Sequence, residues 1–123
     1  MLILEKETIY LEIAILYLLM DKYNEFETYM NKITKSELNF ITKVWKCLYY
    51  YMIDNQEEFN KYKLYTENIF AKLTKRFASS YAFYIELLDT LNQNIENKAD
   101  VLGKLIAKVT TPFGNLIKEY IKF

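Results

Sequence analysis

The chain has 123 residues, the size of one domain, and sixteen basic residues balance sixteen acidic ones to a formal net charge of zero. Two glycines and one proline stand against 52% hydrophobic and 17% aromatic residues. That leaves too little turn chemistry for a many-stranded β fold and too much apolar matter for disorder. There is no histidine, and Cys47 is the lone cysteine, which removes the commonest general base, the usual nitrogen ligand for metals, any intramolecular disulfide and any multi-cysteine metal site.

Apolar residues recur at three- and four-residue steps almost throughout, the signature of helices. A first helix is expected over residues 4–20. Asp21 is expected to cap a second carrying Tyr23, Phe26, Met30 and Ile33 on one face. Thr34-Lys35-Ser36-Glu37 has the spacing of a capping box, with Thr34 covering an orphan amide and Glu37 reaching back. It is expected to open a third helix whose inward stripe is Leu38, Ile41, Trp45, Leu48 and Met52. Asp54-Asn55-Gln56-Glu57 repeats that cap chemistry ahead of Phe59, Tyr62, Tyr65, Ile69 and Leu73.

The apolar phase then continues through Phe77, Tyr81, Tyr84, Leu88 and Leu91, with a helix break expected at Thr74 or at Ser79-Ser80. Residues 92–97, polar except for Ile95, read as a loop. Val101, Leu105, Ile106 and Val109 mark a short helix that tolerates Gly103, and Thr111-Pro112 opens a last one through Phe113, Leu116, Ile117, Tyr120 and Ile121. The expectation is an all-α single domain, residues 1–123, built as a bundle of six or seven helices.

Shifting the chain by 33 residues matches Tyr17 to Tyr50, Asp21 to Asp54, Glu25 to Glu58, Phe26 to Phe59 and Tyr29 to Tyr62. With Tyr10, Ile13, Ala14 and Tyr17 in the first helix and Asp21-Lys22-Tyr23 at the turn, residues 4–73 resemble the tetratricopeptide repeat. The sequence departs from that family at Phe26 and Phe59, where its second helix carries a small residue. The resemblance implies stacked helix hairpins and an interaction module that binds peptides or proteins and does no chemistry of its own.

From Ile9 to Met20 only Glu12 is polar, so apolar side chains surround the axis of the first helix instead of forming one stripe. Such a helix is either the centre of the bundle or presents a face that a second copy or a partner covers. Leu16→Ala is expected to cost about 2 to 5 kcal/mol if that position is buried. On the third helix Tyr50 shares a stripe with Lys43 and Lys46, opposite the inward one. It is read as an exposed ring between lysines, a candidate partner contact.

Charge is uneven: residues 1–60 hold six basic and ten acidic side chains, residues 61–123 ten and six. Lys72, Lys75, Arg76, Lys104 and Lys108 are a candidate basic patch for phosphates or an acidic protein. Only Arg76 among sixteen basic residues is arginine, which disfavours specific nucleic-acid readout. An AT-rich prokaryotic or viral genome accounts for the Lys, Asn, Ile, Tyr and Phe bias as well as selection for a sticky surface does.

Cys47, among Val44, Trp45 and Leu48, reads as a buried structural thiol. Glu25, Glu27, Glu57 and Glu58 lie near helix starts, where the dipole alone favours acids. No enzyme activity, cofactor or metal is expected. The longest apolar run, residues 13–20, is far short of the roughly 20 residues needed to span a bilayer. With acids at Glu5 and Glu7 where an export signal is basic, a cytoplasmic place without membrane contact is expected. The leading reading is an interaction module, an adaptor or scaffold that binds another protein or itself. The alternatives are a viral or mobile-element regulator that inhibits a host complex and a nucleic-acid-associated subunit using the basic second half.

Overall fold

The computed structural model describes residues 3–73, 75–93 and 96–106. Among the described residues the chain is all helical, with no strand: α1 (Ile3–Leu19), α2 (Tyr23–Met30), a 3-10 turn (Ser36–Leu38), α3 (Asn39–Met52), α4 (Gln56–Ala71), α5 (Lys75–Leu91) and α6 (Lys98–Ile106). The expected break near Thr74 separates α4 from α5. None of these helices is long and apolar enough to cross a membrane. The helix expected from Pro112 onward lies outside the described residues. The chain divides into two compact units, Met1–Lys63 and Leu64–Phe123, with the boundary inside α4.

In the first unit α1 and α2 lie along each other as a hairpin. The turn between them is a Schellman closure: Lys22 N–H donates to the Tyr17 carbonyl at 2.9 Å and Asp21 N–H to that of Leu18 at 3.1 Å. Asp21 takes φ 60°, a left-handed conformation that Asp reaches more readily than most residues. So Asp21 ends α1 instead of capping α2. Lys22 is the α2 N-cap and gives no side-chain bond, while the Asp21 carboxylate accepts from Tyr23 Oη at 3.1 Å.

The same closure recurs 33 residues on. Asn55 N–H donates to the Tyr50 carbonyl at 2.9 Å, Asp54 N–H to that of Tyr51 at 3.2 Å, and Asp54 again has φ 60°. Here Asn55 supplies the cap of α4, its Oδ1 accepting from Glu58 N–H at 3.2 Å. Matched aromatics keep matched neighbours: the Tyr17 and Tyr29 rings lie 5.7 Å apart, Tyr50 and Tyr62 5.4 Å. Phe26 and Phe59 are both buried.

The capping box does not form. The 3-10 turn starts after Lys35, α3 starts after Leu38, and neither has a side-chain cap. Thr34 instead turns to Glu7 on α1, whose carboxylate accepts from the backbone N–H groups of Thr34 and Lys35 and from the Thr34 hydroxyl. Glu7 is only 4% exposed. A buried carboxylate needs such donors, and two amides at the end of the 31–35 loop supply them. One acid on the first helix thereby fixes the loop that leads into α3.

The core of this unit is built on Leu11, Ala14, Ile15 and Leu18 of α1, Phe26 and Met30 of α2, and Phe40, Ile41, Val44, Trp45, Cys47, Leu48 and Tyr49 of α3. The inward residues Ile41, Trp45 and Leu48 are buried as their spacing predicts, whereas Leu38 and Met52 at the helix ends are half-buried. α1 is not covered on all sides. Ile9, Leu16 and Met20 are 41%, 54% and 58% exposed, so the condition for a costly Leu16→Ala does not hold.

In the second unit α5 and α6 pack together. Tyr84, Leu87, Leu88, Leu91 and Leu102 are buried. Lys98 Nζ donates to the Leu91 carbonyl at 2.6 Å, a cation placed where the helix dipole and an orphan carbonyl both favour it.

Candidate functional site

Residues three, four and seven apart share one face of a helix. α3 accordingly sets Lys43, Lys46 and Tyr50 in a row on the first unit. The 31–35 loop, held by Glu7, faces the first half of this row. Between them lies a cleft of about 370 Å³ whose cationic side chains are Lys35, Lys43 and Lys46 and whose neutral polar groups include Asn31, Asn39 and Thr42. Beyond Lys46 a second hollow of about 230 Å³ is walled by Phe26, Glu27, Tyr49, Tyr50 and Tyr62. Asn31 and Lys46 line both, so the two hollows make one groove with a cationic half and an aromatic half.

The three sequence-predicted contact residues are thus brought together, but Tyr50 is not the exposed ring expected. It is half-buried, stacked on Tyr62 with ring centres 5.4 Å apart and planes at 23°, and 4.8 Å from the Tyr49 ring. Burial, with Tyr62 next in effect, pushes its phenol up to about 12. Tyr49 packs against Tyr23 at 5.4 Å and Phe26 at 5.0 Å. Its phenol is raised first by burial and then by the Glu27 carboxylate.

Lys46 is half-buried, its Nζ 5.2 Å from the centre of the Tyr62 ring, a cation–π distance. Burial lowers its basicity, the like charge of Lys43 adds to that, and Glu27 opposes it. Among the described residues no carboxylate reaches salt-bridge distance of Lys43 or Lys46, whereas Lys61, 5.7 Å from the Tyr62 ring centre, pairs with Glu58 at 3.8 Å. The ammonium at the junction of the two hollows therefore has a ring face beside it, and Glu27, in the same hollow, acts on it from beyond salt-bridge distance.

Sequence reasoning passed over Asn31, Lys35 and Tyr62. The 33-residue match of Tyr29 to Tyr62 beside that of Tyr17 to Tyr50 was the available sign for Tyr62; nothing local marks Asn31 or Lys35. The expected basic patch falls in the second unit. Lys72 follows α4 and Lys104 lies in the last turn of α6, both exposed. Lys75 and Arg76 open α5, Lys108 lies outside the described residues, and no described contact joins Lys72 to Lys104. Cys47 is buried. No family model, curated protein or solved structure matches the chain.

Proposed function

We propose that the chain is a non-enzymatic helical interaction module that grips another protein through the groove along α3. One observation carries this reading: a half-buried Lys46, without a salt bridge among the described residues, joins a cationic cleft to a tyrosine shelf, all within one compact unit. Such a surface offers what protein contacts use, a rigid aromatic platform with desolvated charge beside it. The lack of histidine and the structural employment of Glu7 and Lys98 support binding over chemistry. The helix-hairpin resemblance points the same way. The site would serve an adaptor or a regulator that occupies a host complex equally well.

The test is affinity capture from cells that express the gene, comparing the wild-type chain with Lys43→Glu/Lys46→Glu. Both sites are solvent-accessible on one side, so far-UV circular dichroism should be unchanged. A defined protein retained by the wild type and lost by the variant is the expected result; equal retention overturns the reading.

A second observation favours self-association alongside it. Ile9 and Leu16 on α1 and Met20 just after it stand exposed at turn-spaced positions, an apolar edge interrupted by the exposed Glu12. Light scattering over a concentration series is expected to show a dimer that Leu16→Glu abolishes; a monomer at every concentration removes this part.

A further inference from the structure

The groove carries information about what its occupant is made of. Lys43 and Lys46 stand one helical turn apart, Lys35 faces them from the loop, and all three residues line the same cleft. Like charges gathered in a partly desolvated space repel one another unless an anion joins them. The acid that acts on Lys46, Glu27, lines the aromatic hollow and not the cationic cleft. Glu7 acts on Lys35 from behind the loop, but no acidic residue lines the cationic cleft itself, which leaves it to an anion from outside.

The scale of the charge separates the possible anions. Residues 1–63 carry eight lysines and ten carboxylates, a net charge of −2, and no arginine. A unit with that balance offers no broad positive field to a polyanion. Nucleic-acid backbones are held by many spaced cations, and three lysines around one hollow do not track a backbone. Three lysines lining one cleft at this point of the groove, with Asn31, Asn39 and Thr42 as neutral polar neighbours, suit one or two carboxylates. Next to that point, the Tyr50–Tyr62 stack with Phe26 suits a flat or apolar side chain.

We propose that the groove binds a short acidic segment of the partner protein, with an Asp or Glu carboxylate seated among Lys35, Lys43 and Lys46 and an adjacent aromatic or large apolar side chain laid on the Tyr50–Tyr62 shelf. This rests on the interaction reading above and adds the chemistry of what is gripped. The carboxylate accepts charge-assisted hydrogen bonds from the lysine Nζ groups, and the ring covers the tyrosine faces and keeps water from those bonds. Glu27 acts as an internal competitor at the mouth of the aromatic half.

The test uses the full chain and fluorescence anisotropy with four probes: an acetylated, amidated peptide of pattern Glu-Glu-Phe-Glu, its Gln-Gln-Phe-Gln isostere, Glu-Glu-Ala-Glu, and an oligothymidylate. The acidic aromatic peptide is expected to bind at least about tenfold more tightly than either peptide control, and the oligothymidylate not to compete with it. Lys46→Gln and Lys43→Gln should each weaken binding at least about tenfold, and Glu27→Gln should strengthen it. Trp45 fluorescence establishes that each variant is folded, and Lys43→Gln, at the more open end, stands if Lys46→Gln is misfolded.

Equal binding of the isostere, unchanged binding by the lysine variants, displacement by oligothymidylate, or no binding of the acidic peptide at millimolar concentration overturns the proposal. If the captured protein still depends on Lys43 and Lys46 while the acidic peptide fails, the interaction reading survives and the acidic occupant falls. If capture ignores both lysines, the reading itself falls.

Discussion

Leu16 and Leu18 sit two residues apart on α1 and are chemically identical, yet the fold separates them: Leu18 is fully buried and Leu16 is 54% exposed. Leu18→Ala removes three buried carbons from a close-packed interior and is expected to cost about 2 to 5 kcal/mol, the transfer loss plus the cavity left behind. Leu16 buries less than half of its surface. Against about 1.5 to 3 kcal/mol for a fully buried Leu, its replacement should cost about 0.7 to 1.4 kcal/mol, less the few tenths that Ala regains in helix propensity.

Urea unfolding followed by Trp45 separates the two. It is the lone tryptophan, fully buried and in the same compact unit. With a slope of about 1 to 3 kcal/mol per molar urea, Leu18→Ala should move the midpoint by about 1 M or more and Leu16→Ala by a fraction of that. A loss at Leu16 as large as at Leu18, and independent of protein concentration, refutes the assignment of an open edge to α1. A loss that grows with concentration means that a second copy covers Leu16.

Asp54 holds φ 60°, where a side chain costs about 1 kcal/mol relative to glycine. Thermal denaturation of Asp54→Gly should therefore show equal or slightly higher stability, and Asp54→Val a loss of about 1 to 2 kcal/mol. Glu7 is held below its ordinary value of 4.5 chiefly by the Thr34 amide, against its burial. The stability it confers is complete above the unfolded-state value and is lost as pH falls through the native one. The acid-side decline in urea midpoint should be shallower in Glu7→Gln, and parallel curves would count against the Glu7 clasp. For Tyr50, raised to about 12 from 10.0, the sign is opposite. Its contribution is whole below pH 10 and disappears as pH rises from 10 to 12. Alkaline unfolding monitored by circular dichroism should be less steep over that interval in Tyr50→Phe.

Much of the helix layout was readable because side-chain phase is set within a few residues. Ile41, Trp45 and Leu48 fall inward, and Lys43, Lys46 and Tyr50 share the other face, for any right-handed helix of 3.6 residues per turn. The ends were less readable. Asp21 and Asp54 were read as caps of the following helix but terminate the preceding one in the left-handed region, since Asp serves both uses. Thr34 and Glu37 had the spacing of a capping box, but the Glu7 carboxylate, 27 residues away in sequence, takes the Thr34 donors. Buried charge outbids an exposed local cap because it has no water to fall back on.

The amino-acid order settles the class of the fold and the faces of its rods, because helix period and apolar transfer act over one or two turns and depend on little else. Which side of α1 stays open, that Tyr50 leans on Tyr62, and that Lys35 meets Lys43 and Lys46 across a cleft are outcomes of assembly. They depend on where a distant carboxylate pins a loop and on which rings arrive to share a surface. Those contacts join different elements, and beyond the 33-residue match that pairs Tyr50 with Tyr62 no periodicity records them.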